Sequence, residues 1–86
     1  KAASADQKTV QTFGIAITKE GQFLLNGTLA SPEELTAEVR KAVGDNPETQ
    51  AIISADIDAR HGDVVRAIDL IKSAGLSRFA LQVERQ

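Results

Sequence analysis

A chain of 86 residues has room for one domain and one modest core. Its net charge of -2, with basic residues set singly among acidic ones, excludes the basic face that phosphate neutralisation requires, so nucleic acid is not an expected partner. The absence of cysteine excludes a disulfide scaffold and a thiolate metal site, and no apolar run nears the ~20 residues that cross a bilayer.

The opening Lys1 to Lys8 is small and polar and reads as a tail or linker, which sets residues 1–9 apart from a folded domain over residues 10–86. From Val10 the pattern becomes a strand, with Phe13, Ile15 and Ile17 on one face and Thr12, Ala16 and Thr18 on the other. Lys19-Glu20-Gly21 reads as a tight hairpin turn in which Gly21 supplies a positive φ, and Phe23 and Leu25 continue on the return strand. Asn26-Gly27 is a second turn signal that allows a short extension through Leu29.

A helix is expected from Pro32 to Val43. Ser31 suits the N-cap, Pro32 the first helical position, and Glu34 completes a capping box. Leu35, Val39, Ala42 and Val43 make one apolar stripe, Gly44 fits the position just past the helix, and Asp45-Asn46-Pro47 stops it. Ala51 to Ala55 reads as an interior strand buried on both faces. After the polar segment Asp56 to His61, a second helix is expected from Gly62 to Ala74, with Val64, Val65, Ile68 and Ile71 inward and Gly75 closing it. The last strand, Arg78 to Glu84, alternates, with Phe79, Leu81 and Val83 in and Arg78, Gln82 and Glu84 out. The order is β-β-α-β-α-β, an α+β two-layer sandwich with two helices on one face of a mixed four-strand sheet.

Few residues offer chemistry. Asp56 to Asp63 is the dense cluster of ligand-type side chains, yet a calcium loop would want an acceptor where Arg60 stands, Gly where His61 stands and Glu where Ala67 stands. Asp56 and His61 are the loop candidates for acid/base work, but no cysteine or nucleophile-elbow serine completes a catalytic set. The plainer reading is that the acids cap the second helix and His61 is a loop residue. No glycine-rich phosphate loop is present, and no cofactor or metal is expected. What remains is binding through an exposed sheet edge, which presents unpaired backbone groups to an added strand. The candidate partner-binding residues are Val10, Thr12, Phe13 and Ile15 on the first strand, read as an edge, and Phe79, Leu81 and Val83 on the last.

The order of motifs resembles the periplasmic domain of the ExbD/TolR family, small subunits of proton-driven inner-membrane motors. The resemblance runs from about Phe13 to Glu84. It is carried by Leu25-Asn26-Gly27 after the hairpin, the helix opening Ser31-Pro32-Glu33-Glu34-Leu35, Ala55-Asp56 ending the middle strand, and Ala74-Gly75 before an apolar last strand. It implies a non-enzymatic domain in the periplasm, tethered to the inner membrane by an upstream helix that bears a proton-carrying Asp and meets an ExbB/TolQ-like subunit. It also implies a homodimer, with strand exchange as one form, and engagement of a TonB-like or TolA-like protein or of peptidoglycan. Many members carry Tyr just after the middle strand, where this chain has His61, which weakens the carry-over of a role for that ring. The ExbD-like branch is the preferred reading, and the TolR-like, peptidoglycan-binding branch is the alternative.

Overall fold

The computed structural model describes residues 12–85. Seven elements follow one another: β1 (Thr12–Ile17), β2 (Phe23–Leu25), β3 (Thr28–Ala30), α1 (Pro32–Asp45), β4 (Gln50–Asp56), α2 (His61–Ser73) and β5 (Arg78–Glu84). The strands form one mixed sheet in the order β3-β2-β1-β4-β5. The expected α+β sandwich is present, with five strands where four were expected. Asn26 (φ 50) and Gly27 (φ 88) both take positive φ, the signature of a two-residue hairpin turn. The chain therefore reverses at Asn26-Gly27 instead of extending, and Leu25 pairs with Thr28 and Phe23 with Ala30.

A second difference decides where partners could bind. β1 is the middle strand, antiparallel to β2 and parallel to β4, so it is not an edge. Its alternation of Phe13, Ile15 and Ile17 gives one buried face, which a central strand shows as readily as an edge strand. These side chains pack with Phe23, Ala51, Ile53 and Ala55 of the sheet, and with Leu35, Val39, Ala67 and Ile71 of the helices, in one core on one face. Each fully buried Leu or Ile stabilises the fold by about 1.5–3 kcal/mol. The opposite face, which includes Thr12, Gly14 and Ile52, carries no helix and is exposed.

Local chemistry explains the helix ends. At α1 the Ser31 hydroxyl accepts the Glu34 N–H at 3.1 Å, and the Glu34 carboxylate accepts the Ser31 N–H at 2.8 Å, so the capping box is complete. The helix runs two residues past the expected end, with Gly44 inside it and without positive φ. Asn46 caps it in an extended conformation, donating its N–H to the Ala42 carbonyl. The buried Thr49 hydroxyl reaches the Asn46 carbonyl at 2.6 Å and the Ala42 carbonyl at 3.2 Å, which ties the helix end to the start of β4.

At α2 the expected acidic cap is not formed. Arg60 is the N-cap residue and makes no side-chain capping bond, because a guanidinium has no acceptor for a helix N–H, while Asp56 Oδ1 accepts the Asp58 N–H within the preceding turn. Val65 is exposed and Ala67 is buried in its place, since the true stripe follows Val64, Ala67, Ile68 and Ile71. The end is a Schellman motif, as expected of Gly75 (φ 102), with Leu76 N–H on the Ile71 carbonyl and Gly75 N–H on that of Lys72.

Ser31→Ala removes the acceptor for a helix N–H and should lower stability by about 1 kcal/mol, read from the denaturant midpoint. An unchanged midpoint would contradict the capping role.

Candidate interaction edge at strand β5

β5 pairs with β4 on one side and, among the described residues, has no strand on the other. The Ile57 N–H donates to the Glu84 carbonyl at 2.8 Å, which turns the backbone groups of Glu84 toward β4. Because these groups alternate along a strand, Ala80 and Gln82 also face β4, whereas the N–H and C=O of Phe79, Leu81 and Val83 point to the open edge. The edge therefore offers three donors and three acceptors in a row, the template that an added strand needs.

The side chains of the same three residues share the helix-facing side of the sheet, since Phe79, Leu81 and Val83 stand beside the buried Ala51, Ile53 and Ala55. Their direction matches the alternation in the sequence, but their burial does not: Phe79 is 36%, Leu81 48% and Val83 63% exposed. The cause is the width of the helix layer. A helix is about 10 Å across and strands lie about 4.8 Å apart, so two helices cover about four strands. Here α1 contacts β2 and β3, and α2 contacts β1, which leaves β5 beyond the cover. The three side chains thus continue the core outward, and no element among the described residues covers them.

The other side of β5 is polar and ordered by its own contacts. Arg78 pairs with Glu48 at 2.7 Å, and the Gln82 amide donates to Ser54 Oγ at 3.0 Å and to Glu84 Oε2 at 2.8 Å. Of these contacts, the Gln82–Ser54 bond joins β5 to β4 through side chains as well as backbone.

The remaining candidates are placed differently. Thr12, Phe13 and Ile15 lie in the central strand, with both backbone sides engaged and Phe13 and Ile15 buried, so they offer no edge. Val10 lies outside the described residues. β3, the opposite edge, has only three residues and runs directly into Ser31 and Pro32, so it is a poor template. Beside it is an open groove of about 420 Å³ lined by Phe23, Leu29, Pro32 and Arg66, where the Arg66 guanidinium lies 5.8 Å from the Phe23 ring centroid. Asp56 is buried with one oxygen committed to its turn, His61 is exposed at the start of α2, and no hydrogen bond joins the two.

If β5's apolar side chains are surplus to the fold, Val83→Ser should change stability by no more than about 0.5 kcal/mol, whereas Ile53→Ser, on the buried neighbouring strand, should cost several times that. Equal losses in the two variants would show that Val83 serves the core.

Across residues 1–86 the chain matches the family described as Biopolymer transport protein ExbD/TolR. It is 30% identical over 84 residues to the Biopolymer transport protein exbD2 of Vibrio cholerae, an alignment that takes in 98% of this chain and 62% of that protein. The chain thus spans less than two thirds of that relative's length. The hairpin turn, capped helix, middle strand, second helix and apolar last strand stand in the order that suggested this family. The chain belongs to the ExbD/TolR family.

Proposed function

We propose that this chain is the periplasmic domain of an ExbD-like subunit of a proton-driven inner-membrane motor, and that β5 receives an extended segment of a TonB-like partner as an added strand. The observation that carries the reading is the open β5 edge, with outward backbone groups at Phe79, Leu81 and Val83 beside an uncovered apolar row. Strand addition takes its affinity from the backbone ladder and its selectivity from side chains that alternate along it. A pull along an added strand loads the ladder's bonds together, which suits a part that transmits work. The ExbD-like branch, with a TonB-like rather than a TolA-like partner, is favoured by the name of the Vibrio cholerae relative.

Within this reading residues 10–86 do the binding, and residues 1–9 are a tether toward a membrane helix that meets an ExbB/TolQ-like subunit. The domain acts by binding and holds no catalytic set. The homodimer of the family reading belongs to the same edge, whereas strand exchange through residues before Phe13 would involve chain outside the described residues.

Titration with extended periplasmic segments of a TonB-like protein should shift the amides of Phe79, Leu81 and Val83 and slow their exchange with solvent. Shifts confined to Asp56 to Asp63, with β5 silent, would move the site to the loop. Proline sharpens the test, because it removes a single N–H. Leu81→Pro deletes an outward donor and should abolish binding while the sheet survives. Gln82→Pro deletes a donor that faces β4 and should destabilise the fold itself. Retained binding in Leu81→Pro would contradict strand addition. Co-sedimentation with purified cell wall, without any response to TonB-like segments, would favour the TolR-like branch.

A further inference from the structure

We infer that Asn26 is a site of spontaneous backbone modification, at which the Gly27 nitrogen closes on the Asn26 side-chain carbonyl whenever β3 leaves β2, and that the hairpin otherwise holds this chemistry shut. The inference is independent of how β5 is used.

The reacting groups are neighbours in sequence. Asn26 and Gly27 are both exposed, and among the described residues the Gly27 N–H makes no hydrogen bond. A Cβ added at Gly27 would meet nothing within 4 Å, so its nitrogen is an unhindered nucleophile. The Asn26 amide is held in place. Its Oδ1 accepts the Gly14 N–H at 2.9 Å, while the Asn26 N–H donates to the Gly14 carbonyl at 2.7 Å. The first of these bonds polarises the amide and aims a donor at the oxygen that turns negative when Cγ is attacked.

Backbone conformation keeps the two groups apart. With φ 50, Asn26 lies in the left-handed region, where ψ is about +47°. The Gly27 nitrogen then stands nearly anti to the Asn26 Cβ across the Cα–C bond, whereas a five-membered ring needs them nearly eclipsed. Closure therefore takes roughly half a turn about that bond. Such a turn swings the chain beyond Asn26 away from β2 and breaks the Leu25–Thr28, Leu24–Leu29 and Phe23–Ala30 pairs. Both bonds to Gly14 lie on the other side of the rotating bond, so rotation alone leaves them in place. Release of β3 is enough, with β1 and β2 still formed. β3 suits this role, since it has three residues, pairs with β2 alone and is mostly exposed.

The reaction needs only water. The Gly27 nitrogen attacks Asn26 Cγ and gives its proton to water. The Cγ–Nδ2 bond breaks, its electron pair leaves with nitrogen, and ammonia departs from a succinimide ring. Water then opens one of the two ring carbonyls. Opening at Cγ leaves a carboxylate on an intact backbone, which can still accept the Gly14 N–H, so the hairpin closes again with one more negative charge. Opening at the main-chain carbonyl leaves the chain running through Cβ and Cγ of residue 26. The turn is then one atom longer, the Leu25–Thr28 register is lost, and β3 leaves the five-strand sheet for good.

Peptide mapping by mass spectrometry of the 86-residue chain, stored in buffer or in unfolding urea, reads the conversion at each asparagine. Asn26 should convert at least about tenfold more slowly in the folded chain than in urea. Thr28→Pro removes the donor that closes the hairpin, and its folded form should react about fivefold faster than the same variant in urea, because Gly14 still engages the amide. Leu29→Gly weakens β3 more gently and should raise the folded wild-type rate about threefold. Asn46 should stay unconverted throughout, because Pro47 has no N–H with which to form the ring. A folded wild type that reacts as fast as the unfolded chain would overturn the inference. So would rates unmoved in both β3 variants, or conversion that rises only when urea unfolds the whole domain. A folded Thr28→Pro chain that reacts faster than folded wild type, but no faster than itself in urea, would strip Gly14 of its role and uphold the β3 gate.

Discussion

The organising constraint is one of width. Two helices about 10 Å across cover roughly four strands at 4.8 Å spacing, and this chain builds five. The surplus strand must fall at one end of the sheet, and the strand order makes it β5. The proposed docking edge follows from that shortfall. A covered β5 would bury Phe79, Leu81 and Val83 as β4 buries Ala51, Ile53 and Ala55, and the edge would be ordinary structure.

The opposite edge shows the usual remedy. β3 is three residues long and is cut off by the turn into Ser31 and Pro32, which keeps its unpaired backbone groups few. β5 carries none of this protection. It is seven residues long, lacks proline and keeps its charged residues at its two ends, with Phe79, Leu81 and Val83 as an apolar row on one side between them. Long open edges are aggregation hazards in soluble proteins, so one that is retained needs an occupant. The proposed strand addition would supply one.

Much of this was legible in the sequence because the signals are local. Ser31, Pro32 and Glu34 define a helix start through bonds spanning three residues, and Gly75 marks an end through its own backbone angle. Asn26-Gly27 was legible as a turn, but whether the chain extends or reverses after it depends on a third strand finding pairs with β2. The position of β1 was not legible at all. Phe13, Ile15 and Ile17 alternate with Thr12 and Ala16 whether a strand is central or peripheral, so the pattern identifies a buried face and says nothing about lateral neighbours. The same holds for β5, whose alternation gave the correct face for Leu81 but not its exposure. That exposure is set by how far the helix layer reaches, which could be estimated only once five strands had been counted against two helices.

The central claim is that β5 is bonded on one side and open on the other, with its backbone groups sorted by parity. Amide hydrogen exchange, measured on the chain dilute enough to be monomeric, reads this residue by residue. Protected amides at Ala80, Gln82 and Glu84, alternating with rapidly exchanging ones at Phe79, Leu81 and Val83, are the predicted result. Uniform protection along the whole of Arg78 to Glu84 would mean that something already covers the edge, and would contradict the account.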